Sequence, residues 1–365
     1  MAKRLLVVTG GGSGGHIYPA LAVAREAAGA FDIAYIGARG GMEETVVPGA
    51  GVRFYAIPAG GIAGKGLGAR LAGGWRSVLG LGHAYAILGR LRPAVVFGTG
   101  GYVSGPVGLA ARMRRVPVAV LEPDARLGVT NTLLARLAVE VYLGFPGALP
   151  SLGPAVQAKA IGTGIPVRPE VGRLTRQAAR RALGLDPVLP TVLAFGGSLG
   201  SGPLNDAVAR SVAEGATGGL QLIWGTGRRY AEAYPGPWPE TVRCLPYIED
   251  LPVALSAADL VVARAGAVTI AELAVAGRAA ILVPSAFVSD DQQFRNAALA
   301  KEAGGAVVMT DGDLKAGALS PALANLMADA TRLSAMGKAM RQVVPAGAAG
   351  AIADRLVRIA GEGRP

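Results

Sequence analysis

The strongest constraint in this sequence is a rhythm: a short run rich in Val, Ile and Leu, a glycine turn, then a longer Ala/Leu-rich segment of helical character. RLLVVTGGG leads into IYPALAVAREAA, AVVFGTGG into PVGLAARMRR, and TVLAFGGSLGSGPLNDAVARSVA restarts the pattern at residue 191. Strands alternating with helices in this way indicate parallel sheets with helices on both faces. Because the pattern runs twice, the expected class is α/β, with two Rossmann-like domains whose parallel sheets face a central cleft. The expected divisions are 1–163, a linker over 164–190 rich in proline and charge, 191–345, and a C-terminal helix over 346–365. The sequence leaves that helix's packing partner open, the first domain being one choice.

Composition sets the remaining bounds. At 365 residues, 51% hydrophobic and 17% charged, the chain is too apolar for disorder and long enough for two cores. Its 55 glycines show no three-residue period, which excludes collagen. A single cysteine, Cys244, excludes an intramolecular disulfide framework and a cysteine zinc site, and two histidines, His16 and His83, exclude a histidine-rich one. No apolar run approaches the ~20 residues of a spanning helix, and the start lacks a signal peptide's apolar region. A soluble, non-secreted protein of a reducing compartment is expected. The net charge of +11 suits anionic partners such as a membrane surface, nucleic acid or phosphorylated substrates, although 30 Arg against 6 Lys equally reflects genome composition.

The glycine loops carry the chemistry. GGGSGGH, residues 10–16, satisfies G-x-G-x-x-G through Gly10, Gly12 and Gly15 between a strand and a helix. Such a loop lets backbone approach a phosphate, and it is equally a plain tight turn. A dinucleotide site wants an acidic residue at the end of the second strand. Arg39 stands there, and no hydride-transfer constellation accompanies it. In GGSLGS, residues 196–201, Ser198 either donates to a phosphate or caps the next helix. In RAGAVTIAELAVAG a helix starting near Ala267 aims N–H groups at an anion. Glu272, one to two turns in, is either an acceptor for both ribose hydroxyls or a solvated helix residue. SDDQQFRNA offers Gln292 and Gln293, amides suited to sugar hydroxyls, or else a polar helix start capped by Ser289 or an aspartate.

Taken in order, GGGSGGHIYPALAVA, GMEETVVP, GKGLGARL, GTGGYVSGP, TNTLLARLA, GFPGALP, GGSLGS, YIEDL, RAGAVTIAELAVAG and DDQQFRNA closely resemble the MurG family of peptidoglycan glycosyltransferases, over nearly the whole chain. The resemblance implies the GT-B fold. It also implies an inverting transfer of N-acetylglucosamine from UDP-N-acetylglucosamine to the 4-hydroxyl of MurNAc in lipid I, forming lipid II. It places the donor in the C-terminal half. There Ser198 and Arg168 would lie near the diphosphate, and Ile248 would hold uracil through its backbone. Ala267, Val268, Thr269, Ile270, Ala271 and Glu272 would wrap diphosphate and ribose, and Gln292 and Gln293 would read the sugar. Ser13, Gly14 and Gly15 would approach the donor sugar or the acceptor diphosphate from the other wall, and Tyr102 and Ser104 would line that acceptor side. No tightly bound cofactor and no protein-held metal are implied, with a divalent cation such as magnesium accompanying the diphosphate. Implied partners are the two substrates, an anionic inner-leaflet membrane surface and other cell-wall synthesis proteins, with no nucleic acid. The implied location is peripheral, on the cytoplasmic face of the bacterial membrane.

The chain departs from the family's pattern in places. A His-Glu-Gln-Asn stretch is replaced by Leu121-Glu122-Pro123-Asp124, and Ile165, Leu199 and Ala265 stand for Asn, Gln and Ser. An aspartate at 124 would repel a diphosphate unless protonated or paired. Inversion needs a base. His16 has the right pKa range and sits beside a helix N-terminus that disfavours its cationic form, but it is also read as a loop-orienting residue. Glu122 and Asp124 are the competing carboxylates, and His83 reads as a packed or surface helix residue. Asp311-Gly312-Asp313 has D-x-D spacing in a turn-like setting. Finally, Leu67, Leu71, Trp75 and Leu79 recur at helical spacing with Lys65, Arg70 and Arg76 around them. That stripe is either core-facing or, given a lipid-linked acceptor, membrane-facing.

Overall fold

The computed structural model describes residues 3–60, 67–285 and 291–362, the side chains of 67–72 excepted. The chain divides into two compact units, Met1–Val167 with Pro345–Pro365, and Arg168–Val344. Each is a strand–helix alternation of the kind the glycine rhythm predicts.

The first unit runs β1 (Arg4–Thr9), α1 (Gly14–Ala27), β2 (Phe31–Ala38), α2 (Glu43–Gly49), β3 (Arg53–Ile57), α3 (Leu67–Leu91), β4 (Val95–Gly98), α4 (Ser104–Met113), β5 (Val118–Glu122), α5 (Val129–Leu137), β6 (Glu140–Leu143), α6 (Pro154–Gln157) and β7 (Ala160–Gly162). The second runs α7 (Arg176–Ala182), β8 (Thr191–Phe195), α8 (Gly202–Ala213), β9 (Gln221–Gly225), β10 (Val242–Leu245), α9 (Leu251–Ala257), β11 (Leu260–Arg264), α10 (Ala267–Ala276), β12 (Ala279–Val283), α11 (Gln292–Glu302), β13 (Ala306–Val308), α12 (Asp311–Lys315), α13 (Leu319–Met327) and α14 (Ala330–Met340). A last helix, α15 (Ala348–Gly361), belongs to the first unit.

Every strand pair is parallel, in the orders β3-β2-β1-β4-β5-β6-β7 and β10-β9-β8-β11-β12-β13. Both sheets are buried on two faces, which is why their strands read as continuous apolar runs. Along β1, Leu6 and Val8 join a cluster with Ile17 and Val23 of α1, while Val7 joins Leu88 of α3 and Val107 of α4. Strand order reverses between β1 and β4 in one sheet and between β8 and β11 in the other. At such switch points the loops beyond the strands' C-terminal ends are free to hold a ligand. The glycine loops occupy these positions.

Helix α15 packs on α1 through buried Ile352, Leu356 and Ile359, each worth about 1.5–3 kcal/mol. Arg355 on its outer edge grips Glu140 in a two-pronged pair at 2.7 and 2.5 Å. The stretch expected as a linker is divided: 164–167 stay with the first unit, and 168–190 join the second, carrying α7. Its charge is spent internally. Arg180 is buried, donates to Ala257 O at 3.1 Å and pairs with Asp259, which also takes Arg176 at 3.0 Å.

Candidate active site

In the first unit the loop after β1 and the loop after β4 interlock backbone to backbone. A Cβ on Gly101 (φ +77°) would lie 2.1 Å from the Gly11 carbonyl oxygen, so only glycine permits this approach. The contact sets Thr99 beside the first turn of α1. The His16 ring nitrogen Nδ1 lies 2.8 Å from the Thr99 carbonyl, and the Thr99 hydroxyl donates back to the His16 carbonyl at 2.7 Å. A carbonyl only accepts, so Nδ1 carries the proton and Nε2 is left as the basic nitrogen. Burial holds the imidazole pKa below its ordinary value, against the opposing pull of Asp124, the Thr99 carbonyl and Glu43. A half-buried, neutral histidine with a fixed tautomer can accept a proton.

Glu122, at the end of β5, plays a different part. It is buried and accepts three hydrogen bonds: Asp124 N at 3.0 Å, Gly128 N at 2.9 Å and Asn131 Nδ2 at 3.0 Å. Burial and neighbouring Asp124 push its carboxyl up to about 8, opposed by those three donors. All three of these donors belong to residues 124–131, so Glu122 shapes the loop that presents half-buried Asp124. Tyr102 packs its ring on Gly12, and burial, with Glu43, raises its phenol pKa. Ser13 is exposed, and Gly14 and Gly15 are half-buried at the start of α1. Ser104 is buried and donates to the Gly100 carbonyl at 2.7 Å, so it holds the loop rather than facing outward.

In the second unit β11 runs into Gly266 and then α10. Gly266 has no side chain to cap the helix, and the first helical bond is Ile270 N to Gly266 O at 3.0 Å. The N–H groups of Ala267, Val268 and Thr269 therefore remain for an anion. Ile270 and Ala271 are fully buried, so their side chains serve packing and offer a ligand no surface. Glu272 is buried, not a solvated helix residue; Arg168 donates to its Oε1 from Nε at 2.9 Å, and Nη2 lies 2.8 Å from the same oxygen in an ion pair. Burial raises its carboxyl pKa, against the pull of Arg168.

The other residues expected on the donor side lie in the same unit. Ser198 is half-buried in its loop, and Ser201, not Ser198, occupies the N-cap of α8. Ile248 is half-buried against Gly225 at the end of β9. Gln293 fixes its own rim by accepting from Ser285 N at 2.9 Å, with Gln292 half-buried beside it; Ser289 falls outside the described residues. Asp311 pairs with Arg264 at 2.7 Å, while Asp313 closes a capping box with Thr310, so both members of the D-x-D spacing have structural partners.

On α3, Trp75 is 66% exposed, Val78 and Leu79 are exposed beside Arg76, and so is His83. The core-facing side of this helix is instead Ala84, Ile87 and Leu88. Lys65 falls outside the described residues, as do the side chains of Leu67, Arg70 and Leu71. Among the described residues no helix is long and apolar enough to cross a membrane.

The glycosyltransferase family 28 N-terminal domain matches residues 6–143, and the C-terminal domain of the same family matches residues 191–350. The chain is 39% identical over 364 residues to a UDP-N-acetylglucosamine–N-acetylmuramyl-(pentapeptide) pyrophosphoryl-undecaprenol N-acetylglucosamine transferase of Symbiobacterium thermophilum, covering 98% of this chain and 97% of that one. An enzyme of the same name from Halorhodospira halophila is 41% identical over 354 residues, covering 94% and 95%. The crystal structure of Acinetobacter baumannii MurG matches with a TM-score of 0.75 at 28% identity, covering 98% of this chain and 100% of that one. The chain belongs to the MurG family. It is a hexosyltransferase of the GT-B fold, an architecture shared at 17% identity and a TM-score of 0.72 with the glycotransferase of kitacinnamycin.

Within the MurG frame, four residues that sequence reasoning did not single out hold the loops of the two units, Glu43, Thr99 and Asn131 in the first and Arg264 in the second. Glu43 is buried and accepts from Ala38 N at 3.0 Å and, at the long end of the range, from Gly12 N at 3.4 Å. Thr99 orients His16. Asn131 ties α5 to Glu122 and to Leu121 O. Arg264 gathers Ser201, Val283 O, Pro284 O and Asp311 at the end of β11. The available signal was a charged or amide residue placed inside an otherwise apolar, glycine-flanked motif. Such a residue has to be hydrogen-bonded internally once the motif is buried.

Proposed function

We propose that this chain transfers N-acetylglucosamine from UDP-N-acetylglucosamine to the 4-hydroxyl of MurNAc in lipid I, with inversion, forming lipid II in peptidoglycan synthesis. The observation that carries this is identity of 39–41% over nearly the full length with transferases so named, in a chain where Arg168 pairs with the buried Glu272 on a helix with an uncapped start. In this reading the second unit binds the donor. The open N–H groups of Ala267, Val268 and Thr269, with Ser198, meet the diphosphate, and Ile248 fixes uracil through its backbone. Glu272 takes the ribose, and Gln292 and Gln293 take the sugar hydroxyls.

The acceptor oxygen attacks the anomeric carbon from the face opposite the leaving group. Its proton passes to Nε2 of His16, and the bond from the anomeric carbon to the diphosphate oxygen breaks with its electron pair going to UDP. Stabilising that leaving charge is electrostatic work by preorganised donors. A divalent cation accompanies the diphosphate without a protein cage.

The lipid-linked acceptor is met at the cytoplasmic face of the membrane. The exposed Trp75, Val78 and Leu79 of α3 enter the headgroup region, and Arg76 faces anionic lipid.

Radiolabelled UDP-N-acetylglucosamine with a lipid I analogue tests the assignment. Label appearing in lipid II is expected. Donor hydrolysis without transfer would point instead to a relative with another acceptor, in line with the Leu121–Asp124 replacement.

A further inference from the structure

Arg168 and Glu272 meet in a way that a diphosphate contact alone does not explain. Arg168 Nε donates to one carboxylate oxygen, Oε1, at 2.9 Å, and Nη2 lies 2.8 Å from the same oxygen in the ion pair, while among the described residues no hydrogen bond to Oε2 is seen. The Glu272 side chain is 4% exposed and that of Arg168 22%, so the carboxylate sits inside and the arginine lies nearer the surface. A long side chain on the second turn of a helix has several rotamers. A charge-assisted bond and an ion-pair contact to a single oxygen select one of them.

We propose that Arg168 is a positioning residue that holds Glu272 ionised and aimed, and thereby sets the preference for ribose over 2′-deoxyribose in the nucleotide. This rests on the second unit being the UDP-sugar site. Oε1 is committed to Arg168, so Oε2 remains to accept from the ribose hydroxyls. The positive charge at Oε1 also offsets the repulsion an unpaired carboxylate would exert on a diphosphate. Without Arg168 the buried carboxyl would take up a proton or swing away, as burial already raises its pKa. Either change removes the anionic acceptor that makes a 2′-hydroxyl worth recognising.

The test is calorimetric titration of the full-length protein with UDP and with 2′-deoxy-UDP. Wild type should prefer UDP by about tenfold or more, the usual worth of a charge-assisted hydrogen bond. If wild type binds neither, the donor-site reading itself fails. If it binds UDP, Arg168→Met should bind the two nucleotides nearly equally, beyond any overall loss of affinity. The same substitution in a Glu272→Gln background should change the preference no further. An Arg168→Met protein that binds more weakly yet keeps the full preference would restrict Arg168 to the diphosphate and overturn the proposal. Circular dichroism checks that each variant is folded. Should the methionine variant not fold, Arg168→Lys, which keeps the charge but loses the Nε bond, replaces it, with a reduced preference expected and an unchanged one overturning the proposal.

Discussion

His16 and Thr99 exchange hydrogen bonds in both directions, ring Nδ1 to the Thr99 carbonyl at 2.8 Å and Thr99 hydroxyl to the His16 carbonyl at 2.7 Å. The exchange locks the ring and its tautomer at the first turn of α1. A base acts only when deprotonated, and this imidazole is held below its ordinary 6.5, so the acid limb of kcat should lie below pH 6.5. His16→Ala should lower kcat by about 10²-fold or more. A limb near pH 8 would assign the base to Glu122 instead.

Glu122 presents both oxygens to N–H donors. Glutamine there would turn an amide N–H toward one of them, and a buried donor left unpaired costs about 1–3 kcal/mol. Calorimetry should show Glu122→Gln less stable at pH 5. The folded pKa is raised from about 4.5 to about 8, so the folded state binds the extra proton between those values, and this carboxyl loses stability as pH rises through them. The gap between wild type and variant should therefore narrow toward pH 8. A gap that widens would contradict the assignment.

Arg264 joins the loop after β8 to the ends of β11 and β12. Arg264→Ala removes bonds to Ser201, Asp311 and two carbonyls, so a stability loss of about 2 kcal/mol or more is expected, with a raised KM for the donor. Asp311→Asn, at a partly exposed end of the same network, should cost under about 1 kcal/mol. Chemical denaturation of the two variants separates these cases.

Trp75 should carry membrane docking. Removing a large apolar side chain from such a contact weakens it by about tenfold or more, so Trp75→Ala should reduce co-sedimentation with anionic vesicles by that factor. Raising salt should weaken wild-type binding as well. Indifference to both would count against α3 as the docking face.

The fold was legible because each β–glycine–α unit is a local pattern, set by periodicity and by turns that only small residues permit. The partners of isolated charges were not. Residues 164–190 look like a linker only until Arg180 and Arg176 are seen to meet Asp259, far along the chain. The α3 stripe was ambiguous because both of its faces are apolar, and the one bearing Ala84, Ile87 and Leu88 has the sheet to pack on. Arg355 pairs with Glu140 across more than two hundred residues, a relation no local window contains. Around the glycine loops, His16 and Glu272 stood out in their motifs as polar groups among small and apolar residues. Thr99 and Glu43, which hold the loops from beneath, look unremarkable until the backbone they support is seen.

The most direct test of the account is a crystal structure of the protein with UDP bound. It predicts the diphosphate against the N–H groups of Ala267–Thr269 and the ribose hydroxyls within hydrogen-bond distance of Glu272. A nucleotide seated elsewhere, or Glu272 turned away from the pentose, would contradict it.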